Sequence, residues 1–409
     1  MQKTPKGLRL HIGIFGRRNV GKSSLLNALT SQHIAIVSDT PGTTTDPVEK
    51  TMELLPLGPV VFIDTAGIDD MGALGEMRKK KTMEVFDRTD LAILITEANH
   101  WGEFEEKIKN ILNEQKIPFV VVLNKTDVTP LVKDVEQRLK KEKISFIPVS
   151  AIEKQGINEL KELLLQTAPK EWFNPPTLIG DLLPPGELAI LVVPIDLQAP
   201  KGRLILPQVQ TIRDILDNDA YCMVVKEREL RDALQRLNRK PKLVVCDSQC
   251  VLKTVADTPK DAWVTTFSIV MARFKGDLAA FARGLKAIEQ LKPGDKVLIA
   301  EACTHHPLAD DIGRVKIPRW LQQYVGGKIN CDVCAGRNFP ENLEEYKLII
   351  HCAACVLNRR EMLTRIYKAQ QKGVPITNYG LTISFIQGVI NRCLEPFPYA
   401  KLCLEKESG

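Results

Sequence analysis

Short, continuous apolar runs recur along the chain, and between them lie polar stretches and segments whose apolar positions return with helical spacing. Runs of this kind, bounded by turn residues, predict strands buried on both faces. In the first part of the chain they are Leu8 to Phe15, Val60 to Ile63, Leu91 to Thr96, Phe119 to Leu123 and Ile144 to Val149. One helix opens at Ser24-Leu25-Leu26-Asn27-Ala28-Leu29, and another carries Arg78-Lys79-Lys80-Lys81 on a solvated face. Such alternation predicts an α/β fold with a parallel sheet.

The pattern stops near Ala168-Pro169-Lys170, and Asn174-Pro175-Pro176 through Leu183-Pro184-Pro185-Gly186 is dense in proline, which marks a boundary. Beyond it the runs Leu188 to Ile195, Tyr221 to Val225 and Leu243 to Cys246 alternate with helical segments Val209 to Leu216 and Glu227 to Leu237, predicting a small α/β domain that ends near Thr266. Asp196 and Asp247 at strand ends read as caps or turn residues, and Cys246 and Cys250 as buried small apolar side chains. A long helix over Met271 to Leu291 then leads to strands at Lys296 to Ala300 and Tyr346 to Ile350. The expected domains are therefore 1–170, 171–266 and 267–409. A chain of 409 residues exceeds what one core normally holds.

Composition leaves this picture intact. Apolar residues make up 44% and charged residues 26%, as in globular proteins. The formal charge of +6 is spread along the chain without a long basic tract, so charge gives no reason to expect a nucleic acid as partner. The basic start, Met1-Gln2-Lys3-Thr4-Pro5-Lys6, runs into a short apolar strand rather than a signal peptide, and no stretch is long enough to span a membrane. A cytoplasmic location is expected, and with it ten cysteines that are not paired as disulfides. All ten lie at or beyond position 222, which points to metal chemistry apart from the first domain.

Between the first strand and the first helix stands Gly16-Arg17-Arg18-Asn19-Val20-Gly21-Lys22-Ser23-Ser24, a G-x-x-x-x-G-K-[ST] phosphate loop in its proper context. The two glycines let backbone amides surround a diphosphate, Lys22 adds charge at the terminal phosphates, and the Ser23 hydroxyl is offered to magnesium. Three further motifs follow in order. Thr44, in the loop Ser38 to Asp46, would close over magnesium. Asp64-Thr65-Ala66-Gly67 leaves the Val60 to Ile63 strand, with Asp64 toward magnesium and the Gly67 amide toward the last phosphate. Asn124-Lys125-Thr126-Asp127 selects guanine, because the Asp127 carboxylate can accept from the N1 and N2 donors that adenine lacks as a pair. Ser150-Ala151 would meet the guanine oxygen. Lys22, Thr44 and Gly67 are the candidate catalytic groups.

Together these motifs resemble the translation-factor-like GTPases of the branch that serves tRNA modification and ribosome assembly. Ile68 stands where Ras-like sequences carry a water-orienting Gln, so hydrolysis must use another group. Asn19 matches the position that, in potassium-stimulated members of that branch, holds a monovalent cation beside the phosphates.

The C-terminal cysteines allow two metal readings. Cys331-Asp332-Val333-Cys334 and Cys352-Ala353-Ala354-Cys355 have the spacing of a four-cysteine zinc site, which spacing alone favours. Alternatively Cys303, Cys352 and Cys355 hold an iron-sulfur cluster, with His305, His351, Glu301 or an external molecule at the fourth iron. The zinc reading goes with an RNA-modification or ribosome-assembly GTPase. The whole arrangement, C-x-H at Cys303 to His305 and H-C-x-x-C at His351 to Cys355 behind a GTPase and a small α/β domain, resembles the [FeFe]-hydrogenase maturation GTPases. That resemblance implies a [4Fe-4S] cluster on Cys303, Cys352 and Cys355, with His305 and His351 as ligands or supporting groups. It also implies a homodimer paired through the middle domain, and a scaffold that receives a di-iron precursor from radical-SAM maturases and delivers it to apo-[FeFe]-hydrogenase. Cys331 and Cys334 then form an incidental pair in a loop.

Overall fold

The computed structural model describes residues 4–30, 47–65, 81, 83–194, 204–303 and 311–405. Thr44, Gly67, Asp196 and His305 lie outside the described residues, as do Arg78, Lys79 and Lys80. The chain divides into two compact units, Met1–Pro175 and Pro176–Gly409. Among the described residues no helix is long and apolar enough to cross a membrane.

In the first unit the apolar runs become β1 (Leu10–Phe15), β3 (Gly58–Asp64), β4 (Leu91–Glu97), β5 (Phe119–Asn124) and β6 (Phe146–Pro148), joined by β2 (Val48–Leu54) in the order β2-β3-β1-β4-β5-β6. All pairs are parallel except β2 with β3. Strand periodicity explains why nearly every position is apolar: Ile12, Ile14, Phe62 and Ile93 face one core, while Phe15, Ile63, Ala92 and Leu94 face the other. β2 is absent from the sequence reading because it is an edge strand with mostly polar, half-exposed residues.

The second unit holds two four-stranded parallel sheets. The first contains β7 (Leu188–Val192), β8 (Tyr221–Val225), β9 (Leu243–Cys246) and β10 (Trp263–Thr266) in the order β10-β9-β7-β8. The second contains β11 (Lys296–Glu301), β12 (Asn330–Ala335), β13 (Leu348–His351) and β14 (Ile376–Asn378) in the order β12-β11-β13-β14. One apolar core runs through both, from Ile190 and Val244 to Ile299 and Ile350.

The two sheets are copies of one module. Each begins with a strand that pairs its successor on one side and its third strand on the other. Matching hydrogen bonds occur at matching places. Gly186 N donates to Asp219 O as Gly294 N does to Lys328 O, and Tyr221 N to Glu187 O as Asn330 N does to Asp295 O. Lys242 N donates to Leu188 O as Lys347 N does to Lys296 O, and Asp247 N to Val192 O as Cys352 N does to Ala300 O. The sequence carries the same repeat: Lys242-Leu243-Val244-Val245, four residues, then Cys250-Val251-Leu252, against Lys347-Leu348-Ile349-Ile350, four residues, then Cys355-Val356-Leu357.

Two expectations need correction. The helix over Met271 to Leu291 is three helices, Phe267–Lys275, Leu278–Gly284 and Lys286–Gln290. Gly276 ends the first, and the Asp277 side chain caps the second by accepting from Ala279 N and Ala280 N. Cys331-Asp332-Val333-Cys334 is no loop but part of edge strand β12.

Candidate nucleotide and cysteine sites

The phosphate loop leaves β1 and enters the helix Lys22–Thr30. Gly21 has a positive φ of 96°, and a Cβ there would run into the Asn124 amide; one at Gly16 would run into the Ile95 carbonyl. These two positions therefore require glycine. Lys22 Nζ donates to the Gly16 and Arg17 carbonyls at 2.6 Å each, folded over the loop it would serve. Ser23 and Ser24 are exposed at the helix N-terminus, and Asn19 is exposed with φ 64°. Val20 is buried beneath the loop.

The base-selecting segment is tied to this loop. Asn124 Nδ2 donates to Val20 O at 2.7 Å and its Oδ1 accepts from Ala151 N at 3.2 Å, so one side chain joins three motifs. Asp127 is exposed and accepts from Ser150 Oγ at 2.7 Å, and Lys125 Nζ reaches Glu97 at 2.5 Å. Asp64, at the end of β3, is buried and its Oδ1 has no hydrogen-bond partner. Burial pushes its carboxyl upward, and Lys22 and Lys50 offset part of that. An orphaned buried carboxylate oxygen beside the phosphate loop fits a magnesium position. Sequence reasoning missed Arg17, whose guanidinium pairs with fully buried Glu105 at 3.0 Å and lies over Phe104, both on the first turn of the helix Glu103–Glu114.

In the second unit Cys303 follows β11, while Cys352 and Cys355 follow β13, the central pair of their sheet. The chain leaves β11 toward β12 on one side and returns to β13 on the other, so this is the topological switch point where open α/β sheets place ligands. Cys352 Sγ accepts from Ala302 N at 3.1 Å and from Ala354 N at 3.5 Å, with Ala354 held at φ 52°. Burial, with lesser contributions from the neighbouring Cys355 and Cys303 thiols, pushes Cys352 up to about 12. Burial raises Cys355 too, while Lys275 pulls it down. Cys352 thus lies near both other thiols and already receives amide donors, surroundings of the kind that hold a thiolate ligand of an iron-sulfur cluster.

His351 is fully buried with both nitrogens engaged: Nδ1 donates to Cys352 O at 2.9 Å and Nε2 accepts from Arg365 Nη1 at 3.0 Å. Burial, and then Arg365, lowers it to about 3, which keeps it neutral. Its geometry is that of a side chain bracing the cysteine turn. Glu301 is buried in a two-point pair with Arg314, at 2.8 and 3.1 Å, and the Tyr379 hydroxyl, buried and without a partner, lies beside Gly313 with it.

The zinc reading does not survive. Cys331 and Cys334 are three apart in a strand, so their side chains leave opposite faces and cannot share one tetrahedral ion. Among the described residues no three His, Cys, Asp or Glu side chains close on a single ion position, and this holds for Cys303, Cys352 and Cys355 as well. Arg365, Lys275 and Arg314 were all missed in the sequence, because each acts through a fold contact that no local motif encodes.

Three stretches of the chain match known protein families. Residues 11–125 match the family model of the 50S ribosome-binding GTPases. GTPase Der of Wolinella succinogenes is 35% identical over 176 residues, which is 41% of this chain and 37% of that protein. GTPase Era of Carboxydothermus hydrogenoformans is 35% identical over 167 residues, 39% of this chain and 55% of that one. The chain thus spans little more than a third of the Der relative. A crystal structure of Aquifex aeolicus Era bound to GDP.AlF4- matches with a TM-score of 0.33 and 19% identity, covering 56% of this chain and 98% of that one. Residues 178–276 match the hydrogen maturase F dimerization domain, and residues 279–396 its tetramerization domain. This chain belongs to the hydrogen maturase F family. The two maturase F matches meet between Gly276 and Ala279, where the helix Phe267–Lys275 ends and the next begins. Each therefore takes one copy of the module, and the cysteine site falls in the second.

Proposed function

We propose that this protein is a cytoplasmic, GTP-hydrolysing scaffold of [FeFe]-hydrogenase maturation. It carries a [4Fe-4S] cluster on Cys303, Cys352 and Cys355, receives a di-iron precursor from radical-SAM maturases and passes it to apo-[FeFe]-hydrogenase. The observation that carries this reading is the union in one chain of a GTPase domain with both maturase F modules, the second bearing three thiols at its switch point. Its division of labour is a GTPase domain over 1–170, a dimerisation domain that runs on from 171 past the expected 266 to Gly276, and a cluster domain from there to 409, assembled as an oligomer through the last two.

GTP lies in the loop Gly16 to Ser24, with guanine read by Asp127, covered by the Asn124-Lys125 segment and met at its oxygen by the Ser150-Ala151 backbone. Lys22 leaves its two carbonyl partners for the terminal phosphates, and Ser23, Thr44 and Asp64 hold magnesium. In-line attack by water then meets charge stabilisation from Lys22, the loop amides and the Gly67 amide. Asn19 would hold a potassium ion, which would supply the positive charge that other GTPases take from arginine, while Arg17 is paired with Glu105.

At the second site the bound cluster supplies an iron through which a cargo can be held and released. The residues of the chain offer three thiols, two amide donors to Cys352 and a neutral His351 that keeps the turn in place. Because burial holds Cys352 as a thiol, loading there releases a proton.

The test is activation of apo-[FeFe]-hydrogenase by the full chain after incubation with its radical-SAM partners. Loaded protein should confer hydrogenase activity, and Lys22→Ala should lower GTP turnover by about 100-fold or more. A loaded wild-type chain that leaves apo-hydrogenase inactive defeats the carrier reading, and undiminished turnover in Lys22→Ala defeats the assigned nucleotide site.

A further inference from the structure

The helix Phe267–Lys275 belongs to the first module, yet its last residue reaches into the cysteine turn of the second. Lys275 is among the most buried large side chains of the molecule, 1% exposed, and its Nζ donates to Leu357 O at 2.9 Å, two residues past Cys355. The contact is returned. Arg359, the first residue of the helix after that turn, donates through Nη1 to the carbonyls of Arg273, Phe274 and Gly276 at 3.4, 2.5 and 3.1 Å, covering the C-terminal end of the helix Phe267–Lys275. A helix C-terminus presents negative charge, which disfavours an anion nearby. Here two cations stand at that end, and one of them, Lys275, pulls the Cys355 thiol down against the effect of burial.

From this clasp we infer that Lys275 is a positioning residue of the cysteine site: it fixes the turn Cys352 to Leu357 and places a buried positive charge beside whatever anion the thiols hold. The inference rests on the cluster reading above and adds to it the group that sets the cluster's electrostatics. A cation at this place stabilises the reduced, more negative state over the oxidised one, so its removal makes reduction harder. The residue matching Lys275 in the second copy is Gln387, and the lysine that reaches the turn after β9 in the first module, Lys316, bonds the Gln249 side chain rather than a backbone carbonyl past Cys250.

The experiment uses the full chain, reconstituted without oxygen with iron and sulfide, as wild type, Lys275→Met and Lys275→Arg. The midpoint of the reduced-cluster EPR signal is followed in a mediated potential titration, with thermal melting to register folding. Lys275→Met should disfavour reduction by about tenfold, a midpoint about 59 mV lower for one electron. Lys275→Arg should stay near wild type. A folded Lys275→Met that holds no cluster while Lys275→Arg does would equally support the charge. An unchanged midpoint in Lys275→Met overturns the inference, and so does loss of the cluster in both variants, which would leave Lys275 only a packing role. If the wild type takes up no four-iron cluster, the failure belongs to the parent reading instead.

Discussion

At the end of β9 the chain reads Cys246-Asp247-Ser248-Gln249-Cys250, and at the end of β13 it reads His351-Cys352-Ala353-Ala354-Cys355. The backbone treats the two alike. In the first, Asp247 Oδ1 accepts from Gln249 N at 2.9 Å; in the second, Cys352 Sγ accepts from Ala354 N at 3.5 Å, the same bond to a different atom. The second donor to Cys352, Ala302 N, has Pro194 as its counterpart, which has no N–H to give. One module thus uses its switch point to cap a turn, and the other uses it to gather thiols. The fold supplies the crevice and its amides, and a few side chains decide whether it binds anything.

Copying the first module's residue into the second gives the sharpest break of that contrast. Cys352→Asp keeps the turn's hydrogen-bond acceptor and removes a thiolate. Iron in the anaerobically reconstituted chain should fall from about four per chain to near zero, with loss of the dithionite-reduced EPR signal. Iron staying at about four would mean that the difference between the modules does not lie in this residue.

A smaller effect separates the modules by pH. His351 is held at about 3 against an ordinary 6.5, so between those values the unfolded chain binds a proton that the folded one refuses. Its contribution to stability is complete above pH 6.5 and is lost as pH falls through that window, with a slope of at most about 1.4 kcal/mol per pH unit. Urea unfolding of the apo chain between pH 7 and pH 5 should show this loss, and His351→Gln should flatten it. The first module has Cys246 at the same place, which does not titrate there. An equal slope in His351→Gln would move the acid sensitivity to another group.

The parts legible in the sequence were those where chemistry constrains residue type at fixed spacing. A phosphate loop needs Gly16, Gly21 and Lys22 whatever surrounds it, and a guanine needs Asp127, so the nucleotide elements could be read in order. The core strands were legible because burial on both faces demands apolar runs. β2 and β12 were not, since edge strands tolerate polar residues, and β14 is three residues long. The break at Gly276 was hidden by apolar residues that continue helical spacing across it. The repeated module was visible in Lys242 to Leu252 and Lys347 to Leu357, but only once two distant segments were set side by side. Arg365 and Lys275 reach their targets across the fold, and nothing local marks them.

The smallest effect concerns the remaining cysteine pair. Cys331 and Cys334 share the C-x-x-C spacing of Cys352 and Cys355, yet one pair lies in a strand and the other in a turn bent by Ala354 at φ 52°. In a strand the spacing sends the two side chains apart; in the turn it would let them serve the proposed cluster. Burial raises both strand thiols, Cys331 to about 11, so they sit as small protonated packing groups at a half-covered sheet edge. Cys331→Ser and Cys334→Ser should each leave iron and sulfide content at the wild-type value and bring in no dependence on zinc. Each should cost about 1 kcal/mol or less in urea unfolding, because the residues are only partly buried. Loss of iron in either variant would show that identical spacing had been read differently without cause, since a strand that could deliver both thiols to one metal would have to abandon its pairing with β11.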